Sequence, residues 1–251
     1  MKIKSIKPIF KSYNERIQNF KWILEHLPEK YRDMCYLEPY CGGSTLLLLK
    51  EKSLTEVIND INGSIISIYQ CLRDEPKEFI RKLSHYKYCE ETFEKIKNKK
   101  DQEDYLEKSI CEYILKKMSR SESKKSFSKA SSNTWKKSIQ DLYDVSYRLE
   151  EVFMFSKDAI EVIEKFNSTN CLLYCDPPFL YENNSNKKVY SSEMEPEVHI
   201  RLSHSLNSFK GKVIISGVTS PLYNRLYKNW NLFRYKGKNK DKKQEVIWKN
   251  F

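Results

Sequence analysis

The chain lacks the features that several function classes require. Its longest uninterrupted aliphatic run is the four leucines at 46–49, against roughly 20 apolar residues for a bilayer span. The opening MKIKSIKPIF holds no stretch apolar enough for a signal peptide. Neither a membrane span nor export is expected, and the reading is a cytoplasmic protein. Histidine is scarce: His26, His85, His199 and His204 are the four, and no two stand at i, i+4. That gives a zinc enzyme no basis, and no metal is expected. The seven cysteines are odd in number and lack metal-ligand spacing. They read as reduced thiols that fill a core. The dinucleotide fingerprint G-x-G-x-x-G is also missing, which argues against a nicotinamide cofactor and leaves adenosine without a pyrophosphate open.

What the chain does have is length, apolar content and positive charge. Its 251 residues, 39% hydrophobic and 13% aromatic, suffice for one large domain carrying a smaller insert. The 45 basic residues outnumber the 34 acidic ones, giving a net +11. Two segments carry the whole imbalance. One holds Lys116, Lys117, Arg120, Lys124, Lys125, Lys129, Lys136 and Lys137 against the single acid Glu122. The other holds Arg234, Lys236, Lys238, Lys240, Lys242 and Lys243 against Asp241. Serines suited to phosphate and the flat faces of Phe127, Trp135 and Tyr235 are interspersed, so a nucleic acid is the expected partner, bound in a salt-dependent way.

Apolar periodicity predicts a strand at 34–38, a glycine turn, a helix at 45–51 that Ser44 can cap, a strand at 56–60 and a helix at 63–72. This opens a nucleotide-binding α/β fold. Residues 75–150 read as charged and mostly helical, with Ile139, Leu142, Tyr143 and Leu149 on one helix face. Strands return at 152–155, 171–175, 212–216 and 245–249. The predicted class is therefore α/β, a Rossmann-like doubly wound sheet built from 1–75 and 150–251, with a helical insert at 76–149.

Two constellations carry chemistry. In Glu38-Pro39-Tyr40-Cys41-Gly42-Gly43 the glycines permit a tight turn and a close ligand approach. Asp60, eighteen positions after Gly42 at the end of the next strand, is placed to accept from a ribose diol. In Asp176-Pro177-Pro178-Phe179 the two prolines fix an extended backbone and remove two donors. The Pro177 carbonyl and the Asp176 carboxylate then present two acceptors beside an aromatic ring. An exocyclic amino group on a flat base fits this trio.

These motifs make the chain resemble the Dam-type N6-adenine DNA methyltransferases, especially their phage-like branch, over nearly its whole length. YLEPYCGG at 36–43 is similar to the family's E-P-F-x-G-G turn, VINDIN at 57–62 to its D-I-N segment, and LLYCDPPF at 172–179 to D-P-P-Y with phenylalanine for tyrosine. EVIWKN at 245–250 resembles the family's final strand. FSKDAIEVI at 155–163 resembles the segment whose acid contacts the cofactor's adenine. Near Lys21-Trp22-Ile23 the family carries a glycine-containing loop with a lysine; here Tyr13 and Arg16 flank Asn14, with Arg16 in the lysine's place.

The resemblance implies S-adenosylmethionine held by Tyr13, Arg16, Glu38, Pro39, Tyr40, Gly42, Gly43, Asp60, Asp158 and Asp176. It implies catalysis by Asp176, Pro177, Pro178 and Phe179 on an adenine flipped out of double-stranded DNA. The helical insert becomes the target-recognition module, with Lys116, Lys117, Arg120, Lys124, Lys125, Lys129, Lys136, Lys137, Lys238 and Lys240 on the nucleic acid. Tyr190, Glu193, Met194 and His199 echo positions of the same branch, His199 in a structural role. A cognate restriction endonuclease and a monomeric state are further expectations. Two alternatives stay open: an adenine methyltransferase acting on RNA, and an inactive DNA-binding relative.

Overall fold

The computed structural model of the chain describes residues 6–10, 17–99, 104–119, 126–129, 132–178, 180, 194–236 and 244–251. Seven strands form one sheet: β1 (Cys35–Glu38), β2 (Thr55–Asn59), β3 (Val152–Phe155), β4 (Cys171–Cys175), β5 (Lys212–Val218), β6 (Asn231–Arg234) and β7 (Glu245–Lys249). Their spatial order is β3-β2-β1-β4-β5-β7-β6. The first five are mutually parallel, and β7 runs antiparallel between β5 and β6.

The central strands are apolar at nearly every position because both faces are covered. In β4 all five residues, CLLYC, are buried. Alternation of side chains then splits the core into two. Tyr36, Ile58, Leu172, Tyr174, Ile214 and Ile247 join one cluster, while Leu37, Val57, Leu173, Cys175, Ile215 and Trp248 join the other. The first cluster lies under α1 (Ile17–Leu24), α2 (Thr45–Leu49) and α3 (Gly63–Asp74). The second lies under α8 (Ala159–Lys165), α9 (Pro196–Asn207) and α10 (Pro221–Leu226). The α/β class and the two covered faces match the sequence expectation.

Residues 76–149 form α4 (Pro76–Ser84), α5 (Glu90–Lys97), α6 (Tyr105–Met118) and α7 (Ser132–Leu149). Pro76 at the start of α4 and Asp104 capping α6 through the Glu107 amide set where these helices begin. Among the described residues they share the first cluster of the sheet: Phe79, Phe93, Tyr113 and Leu142 are continuous with Tyr69 and Tyr36. A buried charge group ties the two regions further. Glu56 of β2 accepts from Lys50 and from the Arg148 guanidinium of α7, and Arg148 also reaches the Leu47 carbonyl of α2. Burial opposes charge on Glu56, yet Arg148 and Lys50 hold its pKa below the usual carboxylate range. Burial in turn lowers Lys50 to about 8.

Several sequence expectations change here. Trp135 is not a flat face for nucleic acid: it is buried and donates its ring N–H to the Tyr86 carbonyl. Phe127 is half-buried against Tyr88 and Phe93. Tyr143 points out of the α7 core face and is exposed, since at 3.6 residues per turn Leu142 and Val145 take the buried stripe. Ser44 does not cap α2 with its side chain; it adopts a left-handed backbone, φ 48°, and makes no cap bond. The seven cysteines are free thiols, five of them buried. No helix among the described residues is long and apolar enough to cross a membrane.

Candidate active site

The carboxyl ends of the five parallel strands meet along one edge of the sheet, where open α/β sheets bind ligands. Strand register fixes who stands there. Glu38 pairs with Ile58, Leu37 with Leu173, Asn59 with Phe155, and Cys175 with Ile215. The residues immediately following, Pro39, Asp60, Asp176 and Ser216, therefore line one edge.

The turn after β1 is held by side chains from its neighbours. The Gly42 amide donates to one Asp60 oxygen at 3.1 Å, and the other oxygen accepts from the Asn62 amide at 2.9 Å. Tyr69 donates its hydroxyl to the Gly42 carbonyl at 3.0 Å. Asn59 bridges the Pro39 and Lys157 carbonyls at 2.9 and 3.0 Å, locking the β1, β2 and β3 exits together. Gly42 has φ +44°, which L side chains rarely adopt, and a Cβ there would meet open space. Glu38 is buried and accepts from the Tyr36 hydroxyl at 2.9 Å.

At the β4 exit the Asp176 carboxylate sits half-buried with Pro177 buried behind it. Its Oδ1 accepts from the Ser216 hydroxyl of β5 at 2.6 Å. Burial raises the Asp176 pKa above the ordinary aspartate value, and the Ser216 and Tyr174 hydroxyls partly oppose this. Phe179 lies outside the described residues.

Asp176 thus stands half-buried at the β4 exit, with β1, which leads into the Gly42 turn, as the neighbouring strand. A family model of D12 class N6 adenine-specific DNA methyltransferases matches residues 18–244. This chain belongs to that family.

The methyltransferase is 23% identical over 261 aligned positions to the Type II methyltransferase M1.LlaDCHI of Lactococcus lactis subsp. cremoris, covering 92% of this chain and 87% of the relative. Among solved structures it matches a Listeria monocytogenes protein titled a class I S-adenosylmethionine-dependent methyltransferase, with a TM-score of 0.38 and 8% identity. That match covers 93% of this chain and 58% of the other. The enzyme methylates adenine N6 in DNA, with S-adenosylmethionine as the methyl donor. In this turn a Cβ on Gly42 would meet open space and, among the described residues, the buried Ser44 hydroxyl has no hydrogen-bond partner, so the turn offers room and an unused polar group to such a donor.

The remaining sequence candidates differ in their surroundings. Asp158, Tyr40 and Asp60 gather at the β1–β3 side. Asp158 is exposed, caps α8 through the Ile160 amide at 2.8 Å, and borders an open cleft of about 540 Å³ shared with Arg201 and His204. Burial, then Cys175 and Asp158, push the Tyr40 hydroxyl far up. Gly43 is buried in the turn. A second group of candidates has structural partners: Lys117 donates to the Ile9 carbonyl at 3.1 Å, Lys116 lies 5.6 Å over the Phe10 ring, and both are half-buried. By contrast Lys129, Lys136 and Lys137 are exposed. The third group, Tyr13, Arg16, Arg120, Lys124, Lys125, Lys238 and Lys240, lies outside the described residues, as do Tyr190 and Glu193. His199 is buried, and its Nδ1 meets the Tyr223 hydroxyl at 2.9 Å, consistent with a structural role.

Sequence reading missed Ser216, Tyr174, Asn59 and Tyr69 as site residues. Ser216 was legible only as the end of a strand, and its closeness to Asp176 requires the β4–β5 register.

Proposed function

We propose that this methyltransferase acts on an adenine flipped out of duplex DNA, with Asp176 and the Pro177 carbonyl as acceptors for the two N6 hydrogens. The observation that carries the reading is the Asp176 carboxylate at the β4 exit, with one oxygen held by Ser216 and the Gly42 turn on the next strand. The adenine N6 lone pair is delocalised into the ring. Two acceptors on its hydrogens draw the nitrogen towards a tetrahedral form and aim the lone pair away from the ring. S-adenosylmethionine, when bound, supplies an electrophilic methyl group. Glu38, Pro39, Tyr40, Gly42, Gly43, Asp60 and Asp158 would hold it, with Tyr13 and Arg16 at its methionine end. Orientation of this kind lowers a barrier by up to about 7–11 kcal/mol. The excess proton leaves N6 after transfer, so a strong base is not needed.

Phe179 stacks on the extruded base, replacing stacking worth about 1–3 kcal/mol. Residues 76–149 form the target-recognition module, and the exposed Lys129, Lys136 and Lys137 are its phosphate contacts, with Arg120, Lys124, Lys125, Lys238 and Lys240 adding to them. The name of the Lactococcus relative supports a cognate restriction endonuclease. We place the enzyme in the cytoplasm as a monomer, since each turnover modifies one strand.

Purified enzyme is to be assayed with duplex DNA and with structured RNA as methyl acceptors, followed by modification-sensitive sequencing. The expected result is N6-methyladenine in DNA only, and turnover of Asp176→Ala below about 1% of wild type with DNA binding kept. Full activity of that variant, or preference for RNA, overturns the reading.

A further inference from the structure

We propose that Ser216 and Tyr174 form a hydroxyl relay that positions the Asp176 carboxylate, making Ser216 a positioning residue for methyl transfer. The proposal rests on Asp176 being the acceptor described above. An aspartate at a strand exit ordinarily fixes its own carboxylate by accepting a backbone N–H two residues on. Here the next two residues are Pro177 and Pro178, and neither has an N–H. The motif that rigidifies the Pro177 carbonyl thus removes the local donors that would orient the acid. Orientation has to come from another strand.

The neighbouring strand supplies it. Ser216 Oγ lies 2.6 Å from Asp176 Oδ1 and 3.4 Å from the Cys175 carbonyl oxygen. The shorter distance is that of an O–H···O⁻ bond, so the single serine proton goes to the carboxylate. Tyr174 Oη lies 3.1 Å from Ser216 Oγ. With the serine proton committed, the tyrosine must be the donor, and the order is Tyr174 to Ser216 to Asp176. Tyr174 is itself buried and braced by Phe20 of α1, whose ring centroid is 6.4 Å away. Ser216 occupies Oδ1, and Oδ2 is the oxygen assigned to the substrate amine.

The relay also sets the charge state. Among the described residues, the titratable groups facing Asp176 are Tyr174 and Cys175 on its own strand and Tyr223 of α10. Burial first pushes both Cys175 and Tyr223 upward, followed by Asp176 for the thiol and by Cys175 and then Asp176 for the phenol, so both face it uncharged. The hydroxyls of Ser216 and Tyr174 are what favour the anion against burial.

The test measures kcat, KM and pH profiles of the full-length enzyme on duplex DNA. Ser216→Ala is expected to lower kcat about 10- to 100-fold, with KM for both substrates within about twofold. The acid limb of its kcat profile should move up by about one pH unit. Ser216→Thr restores a donor and should recover most of both. Tyr174→Phe should cost about threefold alone and clearly less in the Ser216→Ala background, because it acts mainly through the serine. Wild-type kcat with an unmoved acid limb in Ser216→Ala overturns the relay. So does a Tyr174→Phe loss that persists unchanged without Ser216. If Ser216→Ala does not fold, the Thr and Phe variants decide: an unaltered kcat and acid limb in Tyr174→Phe is then the refuting result. Asp176→Ala run in parallel separates the two claims. An inert Asp176→Ala beside a fully active Ser216→Ala removes the relay and keeps the acceptor, whereas an active Asp176→Ala removes the acceptor itself.

Discussion

Two carboxylates of this sheet, the buried Glu56 and the half-buried Asp176, are treated in opposite ways. Glu56, near the start of β2, receives Lys50, both terminal nitrogens of Arg148 and the Ser53 amide. Two cations surround it, and its pKa falls. Asp176, at the end of β4, is served only by hydroxyls among the described residues, those of Ser216 and Tyr174, and burial raises its pKa against them. The first acid is saturated and anchors α7 to the sheet. The second is underserved, with acceptor capacity left over, which is what a substrate amine requires. Desolvation is common to both, so the partner set alone separates an anchor from a reactive group.

Breaking the anchor should have the larger thermodynamic effect. Arg148→Met leaves Glu56 and Lys50 buried without the third charge and is expected to cost about 3–5 kcal/mol of stability. Denaturant titration measures this, and the folded fraction should keep its turnover. Asp176→Ala should do the reverse: turnover is lost while the denaturation midpoint holds or rises, because a disfavoured charge has been removed.

A smaller effect is expected at the ring. Phe179→Ala should lower kcat/KM by about 10- to 100-fold, corresponding to the loss of one base stack, while Phe179→Tyr should be mild. A competition between adenine and abasic targets would show whether the loss lies in holding the flipped base.

Acidification sharpens the same contrast without mutation. The folded pKa of Glu56 is depressed, so its stabilisation is fully present above the ordinary glutamate value and is lost only as pH falls through the depressed value. Asp176 is raised, so its anionic form is lost at a higher pH. Turnover should therefore fall on acidification before the fold does. Parallel kcat and circular dichroism profiles check the order, and coincident midpoints would contradict it.

The smallest effect is expected outside both sites. Replacing the exposed Lys136 and Lys137 by alanine should weaken DNA binding similarly for all sequences. It should reduce the salt slope by about one to two, with kcat at saturating DNA unchanged. The same change at Lys117 should instead lower stability, because its ammonium holds the Ile9 carbonyl.

Much of this was written locally. The strands at 152–155, 171–175 and 245–249 follow from short apolar runs between polar breaks, and the structure places them at those residues. The strand Asn231–Arg234 escaped notice because an edge strand with one neighbour needs no continuous apolar run. The strand read as ending at Ser216 runs on to Val218 because β7 pairs with Gly217 and Val218. Trp135 looked like a binding face among lysines until α7 packed against Tyr86 and Tyr88.

The sequence by itself determined the chemistry: an acid followed by two prolines after an apolar strand, and a glycine turn eighteen residues before a second acid, because these depend on neighbours along the chain. The tertiary structure decided which oxygen of Asp176 Ser216 holds, and which lysines are engaged. Ser216 stands forty positions away from Asp176. Hydrogen bonds act over about 3 Å of space, and only the parallel pairing of β4 with β5 brings that serine within reach.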